Sequence, residues 1–217
     1  MPSAMPKKTK IRPQAVSSEK SRVLIIPGLG NSGPIAFPSA RDWTRWLSKN
    51  HAHSTGVWLR FFKKTGGTPS VSHAEALAVA LCYGWIDGQL KGHDHESWLR
   101  KFTPRRPKSI WSKRNCELVE QLAAAGKMKA AGLKEIVAAK ADGRWDKAYD
   151  SPSKMTVPAD FLRELTKNKK AQSFFKTLNK ANKYAITWRL QTATKPEIRD
   201  RRMKTIIAML AKGEAFH

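Results

Sequence analysis

The residues between Ser97 and Cys116 combine positive charge with aromatic rings. Seven of them are basic and none is acidic: Arg100, Lys101, Arg105, Arg106, Lys108, Lys113 and Arg114. Three aromatic residues lie among them: Trp98, Phe102 and Trp111. Cations neutralise a bound anion, and flat rings stack on it or form cation–π contacts. This composition is therefore typical of a site for a phosphate-bearing or otherwise anionic group.

The candidate anion site is the loop within this stretch. Pro104 and Pro107 disfavour a helix there, and Ser112 is placed to cap a helix whose first amides point back toward the loop. We predict that an anion is held by cations, hydroxyls and an aromatic anchor of this loop: Arg105, Arg106, Lys108, Ser109, Trp111, Ser112 and Lys113. The alternative interpretation is a solvated basic loop whose prolines only set its course.

Asp87 completes the candidate site. It lies in Ile86-Asp87-Gly88, which we expect to form a turn directly after an apolar helix. A carboxylate there could act as a general base or orient Arg105 or Arg106, but no second nearby carboxylate supplies the pairing usual in acid–base catalysis. An aspartate that caps the turn or pairs with the basic loop is the favoured interpretation. We predict no catalytic residue.

Metal and redox sites have weaker support. Two His-x-His pairs, His51/His53 and His93/His95, have no third ligand at a fixed spacing, so surface histidines are expected. Cys82 and Cys116 are too few for a disulfide framework and form no Cys-x-x-Cys pair. We predict no metal and no cofactor, and a reducing cytoplasm as the location.

The overall charge narrows the kind of partner. Lys and Arg number 41 against 17 Asp and Glu, which gives a formal charge of +24. Such a field attracts nucleic acid or acidic proteins without specifying a fold. The apolar run from Val23 to Ile26 is too short for an export signal, and no run approaches the ~20 apolar residues of a membrane span.

The pattern of the chain predicts an α+β fold, with a small antiparallel sheet covered by helices and a helical C-terminal subdomain. Residues 57–62 alternate as a strand, and residues 96–102 form a second extended segment. Ser72-x-x-Glu75 is a capping box, and Thr194-x-x-Glu197 is expected to cap the last helix. The predicted parts are a basic, disordered extension (1–36), an α+β domain (37–150) and a helical subdomain (151–217).

Three segments of the chain resemble two known families. ALCYGWIDG (80–88) and FTPRRPKSIWSKRN (102–115) resemble the YdeI/OmpD-associated family, described as bacteriocin-protection proteins, and the resemblance runs from Phe37 to the C-terminus. SRVLIIPGLGNSGP (21–34) resembles the start of YdeN-type serine hydrolases. Because the chain has no Gly-x-Ser-x-Gly nucleophile elbow, we expect no esterase activity at Ser32 and little loss of stability when residues 1–36 are deleted.

Three functions remain open at this point. The resemblance implies a non-enzymatic cytoplasmic stress or protection protein, and the basic loop would bind its anionic ligand or protein partner. The second is an enzyme acting on a phosphorylated or carboxylated small molecule between Asp87 and Arg105. The third is a nucleic-acid-binding module, which the charge favours, although no helix-turn-helix, zinc-finger or RNA-recognition motif is present.

Overall fold

The computed structural model of this protein describes residues 24–25, 33–63 and 67–217. It contains a sheet of five strands in the order β1-β2-β3-β5-β4. The strands are β1 (Leu24–Ile25), β2 (Ile35–Ala36), β3 (Val57–Phe62), β4 (Trp85–Gly92) and β5 (Ser97–Pro104). Helices cover this sheet and form the rest of the chain, so the predicted α+β class is confirmed.

The sheet is mixed rather than purely antiparallel. β3 pairs antiparallel with β5, and β5 pairs antiparallel with β4, but β2 runs parallel to β3. The departure comes from Ile35 and Ala36, which lie within the predicted extension and pair with Leu59 and Arg60. The predicted disordered tail, residues 1–20, and Ser32 lie outside the described residues.

β3 is the central strand and follows its sequence pattern. Val57, Leu59 and Phe61 are buried, whereas the three residues between them are half-buried. Successive side chains of a strand point to opposite faces, so this alternation places one face against the core. Val57 lies opposite Phe102 of β5, which brings two core side chains together across the ladder.

β4 corrects the sequence prediction. The segment that begins at Trp85 was expected to turn, but it runs as an eight-residue strand paired with β5. An irregularity between Asp87 and Leu90 shifts the register. From Gly88 onward every residue of the strand is exposed, so it lacks the buried alternation by which a strand is recognised. Asp87 therefore lies on a strand and not in a turn.

Four helices pack around the sheet: α1 (Ala40–Asn50), α2 (His73–Cys82), α3 (Lys113–Ala124) and α4 (Ala130–Ala141). The capping box at Ser72 and the cap at Ser112 are confirmed, because each hydroxyl accepts a hydrogen bond from the amide three residues later. Gly132 lets α4 approach α2 closely, since a Cβ there would come within 2.4 Å of the Cys82 carbonyl oxygen.

The C-terminal part has four further helices: α5 (Ala159–Thr166), α6 (Lys169–Thr177), α7 (Lys180–Gln191) and α8 (Pro196–Ala211). Asn168 caps α6, and Asn179 caps α7, so these are two separate helices. The predicted cap at Thr194 is wrong, because α8 begins after Lys195 and has no side-chain cap bond. Among the described helices, none has both the length and the hydropathy to cross a membrane.

These elements form two hydrophobic cores. The first lies between the sheet and α1–α4, and the second is made by α5–α8. Tyr149 and Trp188 meet edge to face with ring centroids 6.1 Å apart, and the Gln191 side chain donates to Asp150. The division of the chain at residue 150 stays a prediction.

Candidate functional site

The basic loop, residues 105–112, connects β5 to α3. Its first turn runs from Arg106 to Ser109, whose amide donates to the Arg106 carbonyl at 3.0 Å. Pro107 occupies the second position of this turn, and Lys108 the third with φ of 65°. A left-handed conformation at the third position is typical of type II turns, where glycine is preferred. The turn therefore carries backbone strain at a lysine.

Arg105 begins the loop and points into the protein. Only 7% of its surface is exposed, and its guanidinium carbon lies 3.5 Å from the centre of the Trp111 ring. Its amide donates to the Gly84 carbonyl at 2.9 Å, and its Nη1 donates to the Ile110 carbonyl at 3.3 Å. The sequence prediction treated Arg105 as an exposed arginine with little effect on stability, and its burial corrects that view.

The remaining donors of Arg105 have no partner. Nε and Nη2 are both buried without a hydrogen bond. None of the ion pairs between described residues includes Arg105. Burial lowers the pKa of this guanidinium to about 10, although the more distant charge of Glu135 acts in the opposite direction. Nε and Nη2 form one edge of the guanidinium, which is suited to bidentate contact with an oxyanion.

The ring of Trp111 packs against the guanidinium of Arg105. It is 2% exposed, packs against Trp145 with ring centroids 5.1 Å apart, and has a buried Nε1 without a hydrogen-bond partner. Trp111 is therefore an internal ring that holds the guanidinium, rather than an open surface for stacking. The three unpartnered buried donors, Nε and Nη2 of Arg105 and Nε1 of Trp111, define the Arg105 site.

Tyr149 joins this region to the second core. Its amide donates to the Trp111 carbonyl and its carbonyl accepts from Lys113, so Tyr149 pairs with Ser112 as a short parallel bridge. Burial raises the pKa of Tyr149, the charge of Asp87 raises it further, and Arg105 acts in the opposite direction. Tyr149 is therefore within the electrostatic influence of both Asp87 and Arg105. Nothing in its sequence spacing pointed to this position.

Asp87 has other partners than the predicted ones. Its Oδ2 accepts from Nε and Nη2 of Arg100 at 3.0 and 2.6 Å and lies 3.0 Å from Nε2 of His73. Burial alone would raise the pKa of Asp87, but the hydrogen bonds from His73 and Arg100 outweigh it, and the pKa is lowered. Asp87 therefore orients Arg100 and not Arg105 or Arg106. His73 was not singled out from the sequence.

The other predicted residues lie toward solvent. Arg106 and Lys108 are exposed, and the Ser109 hydroxyl accepts from the Arg106 amide. The Ser109 carbonyl accepts from Arg144, which ties the loop to the segment after α4. Lys113 pairs with Asp150 at 2.8 Å. The predicted residues therefore divide into a buried layer with Arg105 and an exposed layer of cations.

This arrangement suits binding better than bond-making chemistry. The Arg105 site offers three hydrogen-bond donors, and Cys116 beside it has a pKa raised to about 11 by burial, so its thiol stays protonated. No group of three potential metal ligands occurs within residues 24–25, 33–63 and 67–217. The two His-x-His pairs show no such grouping, and His95 is largely exposed.

The comparisons with known families divide the chain in two. Residues 154–213 match the model of the family described as bacteriocin-protection, YdeI or OmpD-associated. The predicted resemblance to this family is confirmed over residues 154–213. The motifs on which it was predicted, residues 80–88 and 102–115, lie outside this match. Residues 35–135 match the model of a domain of unknown function, DUF8412. No curated protein and no solved structure matches the chain.

The matched segments place the site in the fold. The YdeI/OmpD-associated match covers α5–α8, and the DUF8412 match contains Asp87 and the whole basic loop. Tyr149 belongs to neither matched range and contacts both cores.

Proposed function

We propose that this protein is a non-enzymatic binding protein of the bacteriocin-protection type, which receives an anionic group of its partner at the Arg105 site. The group is an oxyanion, a carboxylate or a phosphate. It accepts hydrogen bonds from Nε and Nη2 of Arg105, and Trp111 holds the guanidinium in place. The partner is a small ligand or a protein that presents such a group.

The observation that carries this proposal is the buried, unpartnered edge of Arg105. A buried polar group without a hydrogen bond costs about 1 to 3 kcal/mol, and more when it is charged. Arg105 keeps its Nε and Nη2 without a partner at 7% exposure. An oxyanion on this edge would neutralise the charge and satisfy two donors at once, since charge-assisted bidentate pairs are the strongest hydrogen bonds in proteins.

The exposed layer supports the same role. Arg106 and Lys108 lie at the solvent side of the loop, and α3 has no acidic residue in its first turn. Cations around an entrance raise the local concentration of an anion and its association rate. Because Nε and Nη2 are buried, binding requires the residues that cover them to move aside.

The non-enzymatic part of the proposal rests on Asp87. Its Oδ2 is occupied by Arg100 and His73, and its lowered pKa makes it a weaker base than a free carboxylate. The pKa of Tyr149 is raised by burial and by the charge of Asp87, so its hydroxyl stays protonated. These groups keep a fixed charge state near neutral pH and hold the site in shape.

The test is calorimetric titration at constant ionic strength with two probes, sodium phosphate and sodium acetate. Arg105→Lys keeps the charge but removes the bidentate edge, so it is expected to weaken binding of the tighter probe at least tenfold. Arg106→Ala removes an exposed cation and is expected to weaken binding by less than fivefold. Comparison of the two probes assigns the oxyanion as phosphate or carboxylate.

A charge control separates the site from the net charge of the protein. Lys169→Ala/Lys170→Ala removes two exposed cations from α6 in the second core, and binding should stay unchanged. Equal weakening by this pair and by Arg105→Lys would show that only net charge matters and would refute the proposal. Absence of saturable binding of both probes to the wild-type protein would refute it as well.

A further inference from the structure

A second candidate site lies along α2. After its first turn this helix is apolar on all sides, with seven consecutive residues in the sequence ALAVALC (76–82). A helix that is apolar all round is normally covered on every face. Here Ala78 and Val79 remain half-exposed. They form the floor of a groove of about 450 Å³ between α1 and the end of α3.

The groove is lined by small apolar side chains. The walls come from Ala40 and Thr44 of α1 on one side and Leu122 of α3 on the other. A volume of this size lies within the range of small-molecule sites, roughly 300 to 1,000 Å³. The groove is open because alanine and valine occupy positions where larger side chains would fill the space.

Two cations stand at one end of the groove. Lys127 and Lys129 follow the end of α3, and their backbone amides donate to Leu122 and Cys82, which fixes this corner on α2. Burial raises the pKa of Cys82, and the charges of Lys129 and Lys127 oppose that rise, so both charges act on the floor of the groove. None of the ion pairs between described residues includes either lysine.

The acidic residue at the rim is already engaged. The Glu75 carboxylate accepts hydrogen bonds from the amide and the hydroxyl of Ser72 as part of the capping box. These bonds lower the pKa of Glu75, so it stays charged as the helix cap. The groove therefore presents apolar surface along α2 with two available positive charges at one end.

We propose that this groove binds an amphipathic anion, which places a single apolar chain over Ala78 and Val79 and its carboxylate head beside Lys127 and Lys129. The occupant is a small molecule of the monocarboxylate type with a chain of about eight to twelve carbons. The proposal is independent of the Arg105 site, which lies in the loop between β5 and α3. The two lysines favour a negatively charged head group, and the apolar floor favours an alkyl chain.

The test is calorimetric titration with octanoate, decanoate and dodecanoate below their micellar concentrations. Each added methylene that enters the groove should tighten binding about threefold to fourfold. Dodecyltrimethylammonium has the same chain with a cationic head and should bind at least tenfold more weakly than dodecanoate. Lys127→Ala/Lys129→Ala should weaken dodecanoate binding roughly fivefold, as expected for exposed charges. Lys169→Ala/Lys170→Ala on α6 is the matched control and should bind as the wild type does.

A filling substitution tests the floor. Ala78→Phe places a ring in the groove and should abolish binding without lowering the melting temperature, because Ala78 is half-exposed. If Ala78→Phe does not fold, Val79→Phe serves the same purpose, and the lysine pair tests the head group without touching the core. Absence of saturable dodecanoate binding, affinity independent of chain length, equal binding of the ammonium probe, or unchanged binding by a folded filling variant would each overturn the proposal.

Discussion

Arg100 and Arg105 lie five residues apart, in the middle of β5 and at the start of the basic loop, and their guanidinium groups have opposite surroundings. Arg100 directs Nε and Nη2 at the carboxylate of Asp87 on the neighbouring strand. Arg105 buries the same two nitrogens without a partner and rests on the ring of Trp111. The edge that Arg100 uses to hold the sheet together is the edge that Arg105 leaves free.

The two arginines show that the same charged group is paired in one place and left without a partner in another. A paired and hydrogen-bonded arginine contributes to the stability of the native state. A buried cation without a carboxylate destabilises it, and the drop of the Arg105 pKa from 12.5 to about 10 corresponds to roughly 3 kcal/mol. The contact with Trp111 recovers part of this cost, about 1 to 2 kcal/mol. What remains is available to an anion that completes the site.

The largest expected change in stability comes from removing the ion pair between Asp87 and Arg100. Asp87→Asn leaves Arg100 and His73 facing a neutral amide, and we expect a loss of about 2 kcal/mol in the free energy of unfolding. Asp142→Asn is the control, because Asp142 pairs with Arg144 at the surface and its loss should cost much less stability. Urea denaturation at pH 7 measures both, and similar losses would contradict the structural role of Asp87.

The same pair predicts a dependence on pH. The folded pKa of Asp87 is lowered from 3.8, so the unfolded state binds the proton more readily. Its contribution is therefore fully present above pH 3.8 and is lost as the pH falls through the lower folded value. The stability difference between wild type and Asp87→Asn should shrink in that range. A difference that stays constant down to pH 2.5 would exclude the charge of Asp87 as its cause.

A smaller change in stability, of opposite sign, is expected when Arg105 is replaced. Arg105→Met replaces a buried cation by an apolar chain of similar length, and in phosphate-free buffer it should stabilise the protein by about 1 kcal/mol after the loss of the cation–π contact. Chemical denaturation measures the change. Arg106→Met is the matched control and should change stability by less than about 0.5 kcal/mol. A strong loss of stability in Arg105→Met would mean that Arg105 is a structural arginine like Arg100.

The smallest expected change in stability concerns the turn at Lys108 in the basic loop. Lys108 has φ of 65°, which costs a residue with a side chain about 1 to 2 kcal/mol and glycine much less. After the larger backbone entropy of glycine is subtracted, Lys108→Gly should stabilise the protein by about 0.5 kcal/mol. Lys108→Ala keeps the strained conformation and should give no gain. A gain of equal size in both variants, measured by thermal unfolding, would attribute it to the lost charge instead.

Local patterns predicted the frame of the fold but not the site within it. The alternation of residues 57–62 and the caps at Ser72 and Ser112 are properties of neighbouring residues, and the structure has them as expected. β4 was missed because its exposed, polar end has no alternation.

The sequence shows the composition of the basic loop, but it does not show which of the loop's side chains are buried. Arg105 and Arg106 are adjacent and chemically identical, yet one is buried on Trp111 and the other is exposed. That choice depends on Gly84 and Tyr149, which reach the loop from distant parts of the chain through backbone hydrogen bonds. Long-range contacts of this kind leave no spacing rule in a single sequence, and the same holds for His73 beside Asp87.

The central claim is that Nε of Arg105 is free and receives an oxyanion, whereas Nε of Arg100 is already bound. The most direct measurement is the ¹H–¹⁵N NMR signal of each Nε–H during titration with sodium phosphate at constant ionic strength, assigned with Arg105→Lys and Arg100→Lys. We predict that the Arg105 signal moves downfield and saturates while the Arg100 signal stays in place. A stationary Arg105 signal, or equal movement of both signals with sodium chloride, would contradict the claim.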